Sequence, residues 1–177
     1  MEQSETGRVA ATDGWFTVNI RDAAWVQNEY FGDACIFESR KTAFPEIGYT
    51  LYVLQPGQPN GMYHREGNQE DFLVLQGECL LIVEGQERQL KAWDFFHSPA
   101  GTDHILVGAG EGPCIVFAIG ARKDGSDSNE TLYVRDKTAL EHGAGPERDT
   151  PDGKVAYAPF PKWVHGPPRT FQGLPFA

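Results

Sequence analysis

From Met62 to Ile119 the chain is cut into short strand-length runs by tight turns, and this rhythm commits it to an all-β fold. Residues 62–66, 70–75, 78–83, 86–90, 94–98, 104–107 and 114–119 each read as a strand. Gly67-Asn68-Gln69, Gln76-Gly77, Glu84-Gly85 and Pro99-Ala100-Gly101 are the turns that separate them. The run 86–90 follows as the partner of a hairpin around Gly85. The run 114–119 is almost continuously apolar, which predicts burial on both faces. Upstream, residues 33–38 and 48–54 are two further strands, the second closed by the dense turn cluster 55–61. These spacings leave no room for the helical crossovers of a parallel sheet and predict a sandwich or barrel.

The segments outside this run divide the chain. Residues 1–32 form an N-terminal arm whose first 13 residues are small, polar and expected to lack order, while the mixed pattern from Trp15 to Phe31 predicts an early strand or a segment packed on the barrel. Residues 33–122 form the barrel, and residues 123–177 a C-terminal extension. Within the extension, residues 123–129 are polar and flexible in composition. One short helix is expected over 136–142, with Asp136 as N-cap and Gly143 as its stop. The remainder is rich in Pro and Gly but carries Phe160, Trp163, Phe171 and Phe176. Those aromatics predict an arm lying on the barrel or on a partner subunit.

Charge and cysteine usage exclude several classes. The 177 residues carry a formal net charge of -10, with no basic face for nucleic acid and an acidic surface unsuited to anionic membranes. Cys35, Cys79 and Cys114 lie far apart and form no paired motif, which argues against a zinc ribbon or a disulfide framework. Cys79 and Cys114 sit in apolar runs and read as small buried hydrophobes. The first thirty residues hold no apolar core of signal-peptide length and no window approaches a membrane-spanning length, so the expected setting is a reduced cytoplasm.

The chemistry concentrates in two places. His64 and Glu66 are two apart on one strand and share a face. Glu70 opens the next strand and shares its face with Phe72 and Val74. A slip of one residue would bring Gln69 to that face in its place. His104 follows the Pro99–Gly101 turn on a strand remote in sequence. Two carboxylates facing each other in a low-dielectric interior repel, and one of them would take up a proton. A dication cancels both charges while His64 and His104 stay neutral. Imidazole and carboxylate donors suit Mn, Fe, Ni, Co or Zn, so one divalent metal ion (Fe, Mn or Zn foremost) is expected on His64, Glu66, Glu70 and His104.

These residues resemble the motifs of the cupin superfamily. His64-x-Glu66-x3-Glu70-x6-Gly77 is similar to the first motif, G-x5-H-x-H-x3,4-E-x6-G, with Glu66 standing at its second His. Pro99-x-Gly101-x2-His104 matches the centre of the second motif, G-x5-P-x-G-x2-H-x3-N. Trp93 stands at its leading Gly and Gly108 at its final Asn. The resemblance implies a single cupin (double-stranded β-helix, jelly-roll) barrel, with His64, Glu70 and His104 as direct ligand matches. If Glu66 swings away, a two-His-one-carboxylate triad with open positions remains. The lower net charge of such a site acidifies bound water less and favours a higher oxidation state, so redox or O₂ chemistry is expected over hydrolysis.

The expected function is therefore a metal-dependent enzyme on a small molecule, dioxygenase-like, with Glu66 or Glu70 able to act as a base. A sugar or sugar-phosphate isomerase or epimerase is the alternative enzyme class. Arg65 and Arg88 are the basic residues near the motifs, and Arg65 points away from His64, which weighs against a phosphorylated substrate. A non-catalytic metal- or ligand-binding protein is the third reading. Tyr63 is expected to pack on the outer face, and Phe72 and Val74 to wall the pocket. The outward Leu73 and Leu75 require cover by an arm or by a homodimer partner. His97 and His142 read as surface residues, and His165 is assigned no role.

Overall fold

A computed structural model describes residues 1–122, 130–166 and 173–176. The polar stretch 123–129 and Phe171 lie outside the described residues. The chain opens with strands β1 (Glu2–Ser4), β2 (Gly7–Val9), β3 (Ala24–Asn28), β4 (Gly32–Ile36) and β5 (Ile47–Leu54). The central run is β6 (His64–Arg65), β7 (Glu70–Gln76), β8 (Glu78–Val83), β9 (Gln86–Lys91) and β10 (Phe95–Ser98). Then come β11 (His104–Ala109), β12 (Cys114–Ala121), β13 (Leu132–Tyr133), helices α1 (Lys137–Glu141) and α2 (Gly153–Ala156), and β14 (Val164–His165).

The strands build two facing antiparallel sheets. The larger is ordered β10-β7-β12-β5-β4-β3-β14 and the smaller β13-β6-β11-β8-β9. This is the double-stranded β-helix arrangement of the expected all-β class. Backbone hydrogen bonding does not close it into a cylinder, however, since each sheet keeps its own edge strands among the described residues. Alternation sorts the side chains. Phe72 and Val74 of β7, Leu81 of β8, Leu106 of β11 and Val116 of β12 fill the space between the sheets. Cys79 and Cys114 meet there as free, fully buried thiols. Gly77 turns β7 into β8 at φ +74, and a Cβ there would lie 2.5 Å from the Pro113 carbonyl oxygen, so only glycine fits.

The outer faces are covered by segments from both ends of the chain. On the large sheet, Trp25, Leu51, Val53 and Ile115 pack with Leu174, and Leu75, Val18 and Phe176 close around them. Leu75 thus receives the expected cover, whereas Leu73 pairs with Phe95, which is 61% exposed. On the small sheet, Tyr63, Ile82 and Val107 are buried beneath Ala139 and Ala144. The expected packing role of Tyr63 holds, and its hydroxyl accepts from Gly85 N at 3.0 Å.

Three expectations about the flanks change. Residues 2–9, read as lacking order, form the β1–β2 hairpin, tied down by the Arg8–Ala23 bridge and a Lys41–Glu2 ion pair of 2.9 Å. Polar composition hid a hairpin whose anchor, Ala23, lies elsewhere in the chain. Residues 164–165 are a strand of the large sheet rather than part of an arm, and residues 24–28 take the early-strand alternative. The C-terminal segment carries two short helices, not one. Asp136 caps α1 as expected, accepting from Ala139 N at 2.9 Å, and Asp152 caps α2 in the same way through Lys154 N at 2.8 Å. The Pro151-Asp152-Gly153 sequence reads as a turn and masks that second cap. Among the described residues, no helix is long and apolar enough to cross a membrane.

Candidate metal centre

His64 is one of two residues in β6, and it lies between His104 of β11 and Tyr133 of β13 in register. The two imidazoles therefore project from neighbouring strands of the small sheet, their centroids 5.1 Å apart. Glu70 reaches toward them from the large sheet, where Gly120 and Ser98 are its cross-strand neighbours. The turns hold the two motifs together. Gly101 N donates to Glu66 O at 2.8 Å, and Arg65 grips Asp103 with two bonds of 2.6 and 2.8 Å. Arg65 points away from His64, as the alternation requires. Gln69 bonds to Asp71 on the exposed side, so the register is the one that turns Glu70 inward.

The imidazoles are oriented by their second nitrogen. His64 Nδ1 lies 2.8 Å from Met62 O, and His104 Nδ1 lies 3.0 Å from Thr102 O. A carbonyl oxygen can only accept, so both Nδ1 atoms carry the proton and both Nε2 lone pairs face inward. Such an anchoring bond fixes the tautomer and ring angle of a metal-ligating imidazole. Phe72 and Phe96 pack edge-on against the His104 ring at 5.2 and 5.6 Å. One donor atom each from His64, Glu70 and His104 falls within 4.8 Å of the others.

Glu70 Oε2 and His104 Nε2 are buried without a hydrogen-bond partner. They stand 3.2 Å apart, but not in hydrogen-bond geometry. Buried polar atoms left unpaired cost free energy, and a cation between them removes that cost. The donor set thus fits a divalent metal. Burial raises the Glu70 carboxyl, but the His104 and His64 imidazoles, when they carry a second proton, outweigh it and hold it at about 2. Burial works against charging His64, yet the Glu70 carboxylate beside it leaves its pKa above the ordinary value.

Glu66 stands apart. Its Oε1 lies 3.7 Å from His64 Nε2 and 3.5 Å from Thr131 Oγ1, which donates to it, and it does not join the three-residue group. Burial and the Glu70 charge raise its pKa. The four residues expected to bind come together as three plus one neighbouring carboxyl.

A cavity of about 360 Å³ opens beside this group, lined by His64, Glu66 and Glu70. Its walls include residues the motifs did not point to: Tyr52, Tyr133, Tyr157, Glu38 and Arg122. Tyr52 shares the inward face of β5 with Thr50, a parity visible in the alternation with Leu51 and Val53. Tyr133 and Tyr157 come from the C-terminal segment and have no sequence signal. Their rings meet edge-on at 5.6 Å, and Tyr157 OH accepts from Met62 N at 3.1 Å. Burial pushes the Tyr52 phenol up to about 12 and raises Tyr133 as well. His97 pairs with Asp71 and His142 with Glu87 at the surface, as expected, while His165 adds an edge-strand pair to β3.

The comparisons agree with this architecture. Residues 50–120 match the cupin domain family, a span that contains all four expected ligands. The polyketide cyclase RemF from Streptomyces resistomycificus aligns with 62% of this chain and 81% of its own at 14% identity, with a TM-score of 0.54. KdgF from Halomonas sp. is 22% identical over 52% of this chain and 82% of its own, with a TM-score of 0.43. A suspected sugar phosphate isomerase from Acidithiobacillus ferrooxidans is 24% identical over 49% of this chain, with a TM-score of 0.43, and the match spans only 54% of that protein. At 14% identity and a TM-score of 0.54, the likeness to RemF speaks for the fold alone. Comparison with curated proteins gives no match. With the motif residues gathered on facing sheets, residues 50–120 match the cupin domain on those same strands, and the fold is the double-stranded β-helix.

Proposed function

We propose that this protein is a metal-dependent enzyme acting on a small molecule, and that dioxygen chemistry is the class its donor set supports best. One observation carries the reading. Two imidazoles and one carboxylate converge, with Glu70 Oε2 and His104 Nε2 buried and unpaired, beside a cavity of about 360 Å³. A two-His-one-carboxylate set with open positions is the geometry of non-haem iron oxygenases. A site closed by four protein ligands would favour a structural ion instead.

Iron, manganese or zinc bound there would supply a Lewis-acidic centre, redox-active with iron or manganese. The protein does the rest. Met62 O and Thr102 O hold the imidazoles in orientation. Phe72 and Ile105 exclude water from the cavity wall. The Tyr52 and Tyr133 phenols keep their protons and donate to oxygens of a bound molecule. Glu66, with its raised pKa, holds or accepts a proton beside the substrate position. That carboxyl favours a second reading, in which the enzyme isomerises a sugar or another hydroxycarbonyl compound by proton transfer.

Elemental analysis of protein purified without added metal should find about one transition metal per chain, lost in His64→Ala/His104→Ala. The ferrous protein should bind nitric oxide with the high-spin signal of an open iron site. O₂ uptake across a panel of small oxygenated compounds supports the dioxygenase reading. Deuterium exchange into the same compounds without O₂ uptake supports the isomerase. Metal binding with no response to nitric oxide would reduce the protein to a binding module.

A further inference from the structure

The two imidazoles of the candidate metal centre are anchored by different parts of the chain. The anchor of His104 is local. Thr102 O, which accepts from His104 Nδ1, belongs to a turn closed by the bond from Thr102 N to Pro99 O at 3.2 Å. That turn lies inside the span 50–120 that matches the cupin domain. The anchor of His64 is Met62 O, just upstream of β6. Toward the rest of the small sheet, β6 meets β11 through the single pair His64–His104. Its other side is built by the C-terminal segment. Leu132 and Tyr133 pair with Arg65 and His64. Val134 N donates to Tyr63 O at 3.1 Å, and Tyr63 N donates to Ala144 O at 2.6 Å. Met62 N donates to Tyr157 Oη at 3.1 Å. All of these C-terminal partners lie outside the matching span.

Tyr157 is itself firmly seated. It follows α2, and its N–H donates to Gly153 O at 2.9 Å. Its ring packs edge-on against Phe31 at 5.2 Å, in a cluster with the buried Met62 and Ala156. Gly61 leaves space for the hydroxyl, since a Cβ there would lie 3.0 Å from Tyr157 Oη. Met62 is buried, so its N–H needs a protein acceptor, and the phenol oxygen supplies it. The two ends of Met62 are thereby linked in purpose. Its N–H is tied to Tyr157, and its carbonyl oxygen aims the His64 ring at 2.8 Å. A Met62 freed from the first bond shifts its carbonyl, and His64 Nε2 then swings away from the point it shares with Glu70 and His104. Partners that orient a ligating imidazole are worth about 10–100-fold in metal affinity.

We propose that Tyr157 is a positioning residue of the metal centre: from the C-terminal segment it holds Met62, and through Met62 O it sets the angle at which the His64 imidazole meets the ion. The proposal rests on the metal-dependent reading above and extends that site to a part of the chain outside the cupin match.

The test titrates the full chain with Co(II), whose visible bands report the geometry around the ion. Wild type is compared with Tyr157→Phe, which keeps the ring and removes the acceptor. Leu174→Ala, on the outer face of the large sheet, is the comparator for a loss of stability remote from the centre. Tyr157→Phe should bind Co(II) about tenfold more weakly and with shifted bands. Leu174→Ala should keep the wild-type bands and affinity. Folded Tyr157→Phe with wild-type bands, or with an affinity within about threefold of wild type, overturns the proposal and leaves the metal reading intact. An equal loss of affinity in Leu174→Ala overturns it as well. Should Tyr157→Phe fail to fold by circular dichroism, Gly61→Ala, which presses on the same hydroxyl from the other side, decides by the same criteria. Absence of Co(II) bands in wild type overturns the metal reading and this proposal together.

Discussion

Trp93 stands at φ +76, in left-handed backbone space that large side chains rarely enter, and it is 75% exposed. The turn around it is well bonded, with Trp93 N donating to Val74 O at 2.7 Å and Asp94 accepting from Lys91 N at 2.9 Å. The residue meets a backbone requirement that the family motif satisfies with glycine. Trp93→Gly should therefore stabilise the fold by about 1 kcal/mol, the left-handed strain relieved less the added flexibility of the unfolded chain. An unchanged or lower urea midpoint would contradict this. Glu38 gives a pH-dependent case. The bond to Arg122 holds its carboxyl below the ordinary 4.5, against the effect of burial. The native state then binds fewer protons than the unfolded chain across that window, so the pair stabilises above the ordinary carboxylate range. The contribution fades as pH falls through the depressed native value. Glu38→Gln should cost on the order of 1–3 kcal/mol at pH 7 and progressively less in acid, as urea melts at several pH values would show. At this scale His64, Glu70 and His104 are legible in the chain, because short-range spacing and parity alone set the faces they occupy. Tyr133, Tyr157 and Arg122 are not, because no local pattern ties them to the site.

Among the elements, β6 shows how little regular structure is needed to place a candidate ligand. Two residues suffice, because β11 and β13 flank it and the Arg65–Asp103 pair fixes it from the opposite face. The terminal segments matter in the same way. Leu174 is 6% exposed and seals Trp25, Val53 and Ile115 on the outer face of the large sheet. Phe176 stacks on Trp25 at 5.8 Å, and Gln76 Nε2 donates to Gly173 O at 2.7 Å. Leu174→Ala should lower stability by about 2–3 kcal/mol with little change in metal content, measured by urea denaturation and elemental analysis. A loss under 0.5 kcal/mol would mean that the segment does not seal the sheet in solution. The need for such cover is readable from Leu73 and Leu75. Which segment provides it depends on contacts about 100 residues apart in sequence, which no local pattern encodes.

For the molecule as a whole, the centre ties one sheet to the other, with His64 and His104 on the smaller and Glu70 on the larger. A metal bound there stabilises the folded state only, by about 2.7 kcal/mol at a hundredfold excess over Kd. Chelation should therefore lower the melting temperature by about 5–10 °C, and readdition of the metal should restore it. His104→Ala should melt at one temperature with or without metal. The sequence by itself determined the all-β class, the inward faces of the motif strands that carry His64, Glu70 and His104, and the Asp136 cap, since each follows from period-two alternation and turn chemistry acting over a few residues. Tertiary structure alone decided that the sheets stay open at their edges, that Glu66 stands back from the group, and that Arg122 meets Glu38. Those outcomes depend on which distant segments come to share a volume, and that is settled by packing across the whole chain rather than by any stretch of it.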